Sequence, residues 1–228
     1  MTKNLSYQTL FSSYKGVGHA GQTFFVLPVT GTDYELVPVN CSEKNIDSEV
    51  VALLTHARNS NPLSFLTMFT ATEEGTRKWL SQVVAKEHNR ILFMLKNKKN
   101  HSYYGYMGLA FGDKEGGYIE ADAVVRIAKH KIHGLMKASL VGLLQWVRNE
   151  LGINTIGVRV LTDNAAIAFY EKCGFVKQKI IDLYESKDLD GKLVALETNR
   201  RFLGQKKSRR SLCYMTAAGC LADDQSQH

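Results

Sequence analysis

Several features that would place the chain in a special class are scarce or missing. The 228 residues include three prolines and four cysteines, and 22% of them are charged. No run of about 18 apolar residues occurs, so the sequence predicts no membrane-spanning helix. The start of the chain, Met1 to Asn4, is not followed by a long apolar stretch. We therefore predict no secretion signal and expect a cytoplasmic protein.

The cysteines and histidines lack the spacing of metal or disulfide motifs. The cysteines are Cys41, Cys173, Cys213 and Cys220. None forms a C-x-x-C pair or lies beside a histidine at metal-ligand spacing, which favours reduced thiols. His130 and His133 are three residues apart, but no nearby carboxylate or cysteine completes a set of ligands. The sequence thus predicts no metal site.

One glycine motif has a misleading spacing. Residues 16–21 fit G-x-G-x-x-G, the pattern of dinucleotide-binding turns. Such a turn needs a strand before it and a helix after it. Residues 22–27 instead have the pattern of a strand, so we predict no nucleotide site there.

Positive charge is concentrated near the end of the chain. Of the net charge of +7, residues 199–228 carry +4, as six Lys or Arg against two Asp. A basic end can bind nucleic acid or an anionic surface, but it is more often a solvated, flexible terminus. We expect a flexible tail over 199–228 and do not expect nucleic acid as the partner.

The order of apolar patterns indicates a mixed α/β domain. Helical spacing covers 47–58 and about 70–87, and it is followed by three strand-like runs at 90–96, 103–111 and 118–127. A longer helical pattern covers 134–151, followed by a strand at 153–161 and a short helix ending at Gly174. Two further strands are predicted, at 175–184 and 192–197.

The strongest motif lies at residues 160–175, VLTDNAAIAFYEKCGF. It resembles the second cofactor motif of the GNAT acetyltransferase family, N-x-x-A-x-x-F-Y-x-K-x-G-F. Residues in matching positions, or one residue away, are Asn164, Ala165, Ala168, Phe169, Tyr170, Lys172, Gly174 and Phe175. The resemblance implies an acyltransferase that uses acetyl-CoA.

The same resemblance implies roles for individual residues. Asn164, Ala168 and Phe169 would bind the cofactor, and Asn164 could hydrogen-bond an amide-bearing arm. Tyr170 would donate a proton to the departing thiolate, which a phenol can do. The alternative for Tyr170 is a core aromatic whose hydroxyl is satisfied locally.

The family's first cofactor motif is expected where a strand ends at Arg126 and a helix begins at Gly134. A helix N-terminus offers unpaired N–H groups and a positive dipole end to a pyrophosphate. The cofactor-binding residues implied here are Arg126, Lys131, His133, Gly134, Leu135 and Met136. The usual loop reads Q/R-x-x-G-x-G/A. Lys131 and Met136 depart from it, so the Met136 side chain must point away from the phosphate.

The strand before this loop is expected to hold the pantetheine arm and the base. The resemblance implies main-chain pairing of the arm with Ala123, Val124 and Val125. A strand carboxylate would take the amine's proton, and Glu120 has the family spacing from the loop. Asp122 shares the face of Glu120 in a regular strand, and each carboxylate would raise the pKa of the other. Binding of a cationic substrate or simple solvation remains the alternative for both.

Together these observations predict a GNAT-type α/β fold, with a central, mostly antiparallel sheet flanked by helices and one parallel, splayed pair. We predict an N-terminal extension at 1–33, the acetyltransferase domain at 34–198 and the tail at 199–228. The expected reaction is direct acetyl transfer to a primary amine of a small molecule, with a lean to an amino sugar or nucleotide-linked amino sugar. Alternatives are a protein N-acetyltransferase and a non-catalytic binding protein of the same fold. A homodimer stays open.

Overall fold

The structure is a computed structural model of the chain. It describes residues 6–17, 24–113, 115, 117–187, 193–197 and 206–217, with the backbone alone for 193–197. The chain divides into two compact units, one formed by Met1–Ser60 with Thr70–Asn154 and the other by Asn61–Phe69 with Thr155–His228. Most of the G-x-G-x-x-G motif, residues 18–21, lies outside the described residues.

The first unit is built on an antiparallel sheet. Its strands follow chain order: β1 (Leu27–Pro28), β2 (Tyr34–Pro38), β3 (Ile91–Asn97), β4 (Tyr103–Ala110) and β5 (Tyr118–Arg126). Each strand is hydrogen-bonded to the next. β3 begins with five consecutive buried residues, because both faces of the sheet are covered at this strand. The three strand-like runs of the sequence are confirmed here.

Two helices cover one face of this sheet. They are α2 (Ser48–Ser60) and α3 (Glu73–Trp79), which continues as a π-helical turn over Leu80–Val84. Thr72 caps α3, because its hydroxyl accepts a hydrogen bond from the Gly75 N–H at 3.0 Å. The apolar sides of both helices pack on Leu92 and Met94 of β3.

The opposite side chains of β3 meet an aromatic cluster. It joins α1 (Tyr7–Tyr14) and α4 (Leu135–Leu151) to the sheet. Trp146 of α4 contacts Phe93 edge-on, with ring centroids 6.2 Å apart, and stacks on the fully buried Phe11 at 6.5 Å. Tyr14 and Phe25 stack at 4.3 Å. The segment predicted as an extension, 1–33, therefore contributes to the core of the first unit through α1.

Lys15 fastens the end of α1 to this core. Its side chain is fully buried, and Nζ donates to the carbonyls of Val84 at 2.7 Å and Glu87 at 2.9 Å. Desolvation lowers the pKa of Lys15 to about 8. The folded chain therefore releases this proton at a lower pH than the unfolded chain, where the pKa is near 10.5.

This difference gives a testable pH dependence. Between pH 8 and 10.5 the unfolded chain holds a proton at Lys15 that the folded chain has lost, so stability rises with pH. Over the full range from pH 8 to 10.5, the Lys15 pKa shift adds at most about 3 kcal/mol to the free energy of unfolding. Urea unfolding of wild type and Lys15→Met across this range measures this effect on the free energy of unfolding. Cys41, whose pKa is raised to about 12, has the opposite pH dependence, and subtracting the Lys15→Met values from the wild-type values largely removes its effect. A wild-type minus Lys15→Met difference that stays flat with pH would contradict the assignment.

The second unit has its own antiparallel sheet, in which strand order departs from chain order. Its strands are β6 (Thr155–Leu161), β7 (Phe175–Lys187), β8 (Leu193–Glu197) and β9 (Lys207–Ala217), arranged β6-β9-β7-β8. The short helix α5 (Ala166–Lys172) connects β6 to β7. A small core of Leu161, Leu183 and Leu212 is completed by the half-buried Leu66.

β9 corrects one sequence prediction. Lys207–Ala217 lies within the expected flexible tail, yet it pairs with β6 on one side and β7 on the other. Leu212, Cys213 and Met215 are buried there, and that burial offsets the cost of ordering the segment. For these eleven residues the prediction of a flexible tail is wrong.

The remaining elements agree with the sequence patterns within a few residues, and the expected α/β class with a mostly antiparallel sheet is confirmed. Three cysteines, Cys41, Cys173 and Cys213, are buried and form no disulfide within the described residues. Across the part of the chain that the structure describes, no helix combines the length and apolar character needed to cross a membrane.

Candidate active site

β5 contains an irregularity where the pantetheine arm is expected. Tyr106 of β4 pairs with Val125, whereas Gly108 pairs with Asp122, so two residues of β5, Ala123 and Val124, face one residue of β4. Ala123 adopts a φ of 52°, in the left-handed region. Such a bulge leaves the extra residue out of the ladder and bends the strand. The bulge thus lies at the positions that the sequence predicts for main-chain pairing with a ligand.

The two candidate carboxylates lie just before the bulge. Glu120 and Asp122 pair regularly with Ala110 and Gly108, so they share one face of β5. Glu120 is buried, and its Oε1 accepts a hydrogen bond from the Tyr118 hydroxyl at 2.7 Å.

Asp122 is in a different environment. It is partly exposed and lies 3.7 Å from a guanidinium nitrogen of Arg90, which also pairs with Glu87 at 3.1 Å. An adjacent guanidinium favours the charged, proton-free carboxylate. The two carboxylates are therefore not equivalent, a distinction that the sequence does not reveal.

The N-terminus of α4 presents unpaired backbone donors. Gly134 precedes the helix with a φ of 77° and supplies no side-chain cap. The Leu135 N–H makes a long bond of 3.4 Å to the Ile132 carbonyl. Among the described residues, the N–H groups of Met136 and Lys137 have no acceptor. These donors, together with the helix dipole, form a site suited to a phosphate.

The loop before α4 is held in place by a tyrosine on the sheet. The Tyr104 hydroxyl accepts from the Ile132 N–H at 2.6 Å, and its ring contacts His130 edge-on at 5.6 Å. Tyr104 is almost fully buried, so it is a fixed support for the loop. The exposed N–H groups of α4 are consequently preorganised.

Met136 occupies the position where the family loop has a small residue. Its Sδ lies 3.1 Å from where a side chain would begin at Gly105 of β4. The methionine therefore packs against the sheet, in space that exists because Gly105 has no side chain. The sequence prediction that this side chain must point away from the phosphate agrees with this arrangement.

A cavity of about 460 Å³ adjoins the N-terminus of α4. One wall is formed by Ile132–Leu135 and Ala138, and the other by Gly31, Thr32, Asp33 and Tyr34. The second wall is the turn between β1 and β2, at the boundary between the predicted extension, 1–33, and the predicted domain. No local signal could have identified it, since pairing of β1 with β2 and of β2 with β3 brings it here.

Basic side chains lie around this tip. Arg126, Lys131 and His133 are exposed. Within the described ranges, none of the three pairs with a carboxylate, which leaves these side chains available to an anion. Asp33, on the cavity's other wall, is itself neutralised by Lys99 at 2.6 Å. The local balance therefore favours a negatively charged ligand.

In the second unit, Asn164 organises the turn from β6 to α5. Its Oδ1 accepts from the Ala166 N–H at 2.9 Å, and its own N–H donates to the Leu161 carbonyl at 2.9 Å. The side-chain oxygen is thus bonded to the first residue of α5, whereas Nδ2 has no acceptor in the described part of the chain.

Tyr170 lies at the end of α5 among other aromatic rings. It is buried and makes edge-on contacts with Phe169 at 5.4 Å and Phe175 at 5.5 Å. Ala168 is exposed and Phe169 is half-buried. The chain leaves α5 through Gly174, whose φ of 87° suits glycine.

Comparisons with known proteins agree with these features. The profile of the Acetyltransferase (GNAT) domain matches residues 39–176, more than half of the chain. No curated protein matches the sequence. Similar solved structures include a probable GNAT-family acetyltransferase from Chromobacterium violaceum, with 17% identity, a TM-score of 0.60 and 84% of each chain covered.

Two others have named substrates. A mutant spermidine N-acetyltransferase from Vibrio cholerae is 14% identical, with a TM-score of 0.55 over 81% of this chain and 92% of that one. An acetyltransferase from Salmonella typhimurium that modifies the N-terminal serine of ribosomal protein L7/L12 is 13% identical, with a TM-score of 0.61 over 84% and 98%. At such identities the likeness establishes the fold. With the profile match, the conclusion is that the chain belongs to the GNAT family and is an acetyl-CoA-dependent N-acetyltransferase.

Proposed function

We propose that the chain transfers the acetyl group of acetyl-CoA directly to a primary amine of a small molecule. The observation that carries this proposal is the N-terminus of α4, with unpaired N–H groups beside a cavity and exposed cations. The thioester supplies an activated acetyl carbon, and the residues of the chain bind the phosphates, remove one proton and deliver another.

The first unit offers coenzyme A backbone donors, basic side chains and an adjoining cavity. The N–H groups of Met136 and Lys137 would bind the pyrophosphate, with Arg126, Lys131 and His133 neutralising its charge. Gly134 and Leu135 line the adjoining cavity. The bulged backbone at Ala123–Val125 would pair with the pantetheine amides. In the second unit, Asn164 is proposed to bind the cofactor through Nδ2.

Glu120 is the proposed base. An amine must be neutral to attack a thioester, so a nearby carboxylate has to accept its proton. Asp122 pairs with Arg90, whereas Glu120 is buried and held by the Tyr118 hydroxyl. A buried and oriented carboxylate suits proton transfer better than one engaged with a cation. Asp122 is then a second carboxylate that helps to attract a cationic acceptor.

Tyr170 is the proposed acid, which protonates the departing thiolate. Its ring contacts with Phe169 and Phe175 orient the phenol rigidly. A covalent route through Cys173 has less support, because this thiol is buried and follows the C-terminus of α5, where no helix dipole favours a thiolate.

The acceptor is proposed to be small rather than nucleic acid or protein. Two of the basic residues assigned to the tail are engaged in ion pairs, Lys207 with Asp182 and Arg210 with Asp163. They are therefore less available to a polyanion. We retain an amino sugar, free or nucleotide-linked, as the favoured acceptor on the mildly basic character of the chain. We also propose that the acetyltransferase domain extends beyond 34–198 to include α1 and β9.

An acceptor screen tests this proposal. Purified protein would be given acetyl-CoA with amino sugars, nucleotide-linked amino sugars, spermidine or peptides with free N-termini. Thiol release and mass spectrometry of the product would report turnover. We expect acetylation of a small primary amine. Acetylation of the peptides alone would refute the small-molecule acceptor.

The α4 tip can be probed through Gly134. Gly134→Ala adds a methyl group that touches nothing, but at a φ of 77° it introduces strain of roughly 1–2 kcal/mol. The tip is expected to shift, and the Kd for CoA measured by calorimetry should rise up to about tenfold. Gly142→Ala, inside α4 with equally open space, is the matched control and should leave CoA affinity unchanged. Equal CoA affinity in both variants would count against the tip as the phosphate site.

A further inference from the structure

Arg210 of β9 joins two segments of the second unit that lie far apart in sequence. Its Nε and one terminal nitrogen form a two-pronged pair with Asp163, at 2.8 and 3.0 Å. The same terminal nitrogen donates to the Leu63 carbonyl. The Arg210 side chain is only 19% exposed, whereas the Asp163 side chain is 54% exposed, so the pair is open to water on the Asp163 side. Its two-pronged geometry nevertheless makes it more directional than a single-contact surface ion pair.

On one side, Arg210 fixes the turn that carries Asn164. Asp163 precedes Asn164, whose Oδ1 accepts from the N–H of Ala166, the first residue of α5. The backbone carbonyl of the next residue of β9, Ser211, accepts from the Thr162 N–H at 2.9 Å. The hydroxyl groups of Ser211 and Thr162 are also hydrogen-bonded, at 3.0 Å. Consecutive residues of β9 therefore hold consecutive residues of the turn, and the direction of the Asn164 carboxamide depends on them.

On the other side, Arg210 holds the segment Asn61–Phe69. This segment connects α2 to α3 but belongs to the second unit. Leu66 packs on Leu161, Leu183 and Leu212, whereas Leu63 and Phe69 are 65% and 59% exposed. Little apolar burial stabilises the segment, so polar contacts, including the one at Leu63, contribute to keeping it in place.

We propose that Arg210 is a positioning residue, which fixes the Asn164 turn and the 61–69 segment in one arrangement. The effect on acetyl-CoA rests on the proposed function, because it requires that Asn164 binds the cofactor. The effect on the 61–69 segment does not depend on that function. The two consequences can therefore be measured separately.

Hydrogen exchange followed by mass spectrometry tests the structural half on the ligand-free protein. In Arg210→Gln, amides of 61–69 and 162–166 should exchange faster, roughly in proportion to the lost contacts. Lys207→Gln is the matched control, because it removes a neighbouring β9 cation whose pair with Asp182 is exposed. Unchanged exchange in Arg210→Gln would overturn the proposal.

Steady-state kinetics tests the functional half. Arg210→Gln should raise the KM for acetyl-CoA by roughly 5- to 20-fold with a smaller change in kcat. Arg210→Lys should raise this KM less, since lysine keeps the positive charge but lacks the two-pronged guanidinium contact with Asp163. A general loss of kcat with KM unchanged, or no change in KM despite faster exchange, would refute the positioning role. If Asn164→Ala also leaves the KM unaltered, the error lies in the proposed cofactor site instead.

Discussion

Glu120→Gln is expected to lower kcat/KM for the amine by about 10²- to 10⁴-fold, the range for loss of a general base. The substitution keeps the shape of the side chain and an oxygen that can accept from the Tyr118 hydroxyl. The fold should therefore persist, and the melting temperature checks this. The loss should be measured with saturating acetyl-CoA, so that cofactor binding does not contribute.

Asp122→Asn is the matched control for this prediction. It removes a carboxylate two residues away on the same face, but one that is paired with Arg90. We expect a loss of no more than about tenfold, expressed mainly in the KM of a cationic amine. If Asp122→Asn were the more damaging variant, the base would be Asp122, and our distinction between the two environments would be wrong.

Tyr170→Phe is expected to lower kcat by about 10²- to 10⁴-fold, because the thiolate would leave without a proton donor. The ring contacts with Phe169 and Phe175 do not need the hydroxyl, so packing should survive. The KM for acetyl-CoA should change little. Tyr214→Phe, on the half-exposed face of β9, serves as a control and should keep parental activity.

The chemical nature of the Tyr170 defect can be tested with the donor. An acetyl thioester whose thiol is more acidic needs less help in leaving. The ratio of wild-type to Tyr170→Phe rates should therefore shrink with such a donor. A ratio independent of the leaving thiol would mean that the hydroxyl does something other than protonate it.

The local motifs were predictable from sequence because each is carried by consecutive residues. The turn, short helix and Gly174 exit of residues 160–175 specify their own backbone, and the helical spacing of α4 ends at Gly152 as expected. The strand β5 itself was predicted in the same way, from its consecutive strand-like residues. What the pattern alone did not reveal was the bulge at Ala123, since an alanine gives no signal for a left-handed φ.

Contacts between distant segments were missed for a different reason. Lys15 reaches carbonyls about 70 residues away, and Arg210 meets Asp163 and Leu63, 47 and 147 residues away. β9 begins with cations that suggested a solvated tail, although SLCYMTA follows with strand-like apolar residues. The positive charge near the end of the chain indicated a solvated tail more strongly than this short apolar pattern indicated a strand. Only the pairing with β6 and β7 reveals that the segment is central to its sheet.

The proposed mechanism depends most on the N-terminus of α4, which would anchor the cofactor's phosphates. The most direct measurement is a ¹H–¹⁵N correlation spectrum of protein labelled at Met and Lys, titrated with CoA. The Met136 and Lys137 amides should shift strongly downfield as their N–H groups gain a phosphate acceptor. Saturable binding of CoA that leaves both resonances in place would contradict the central claim.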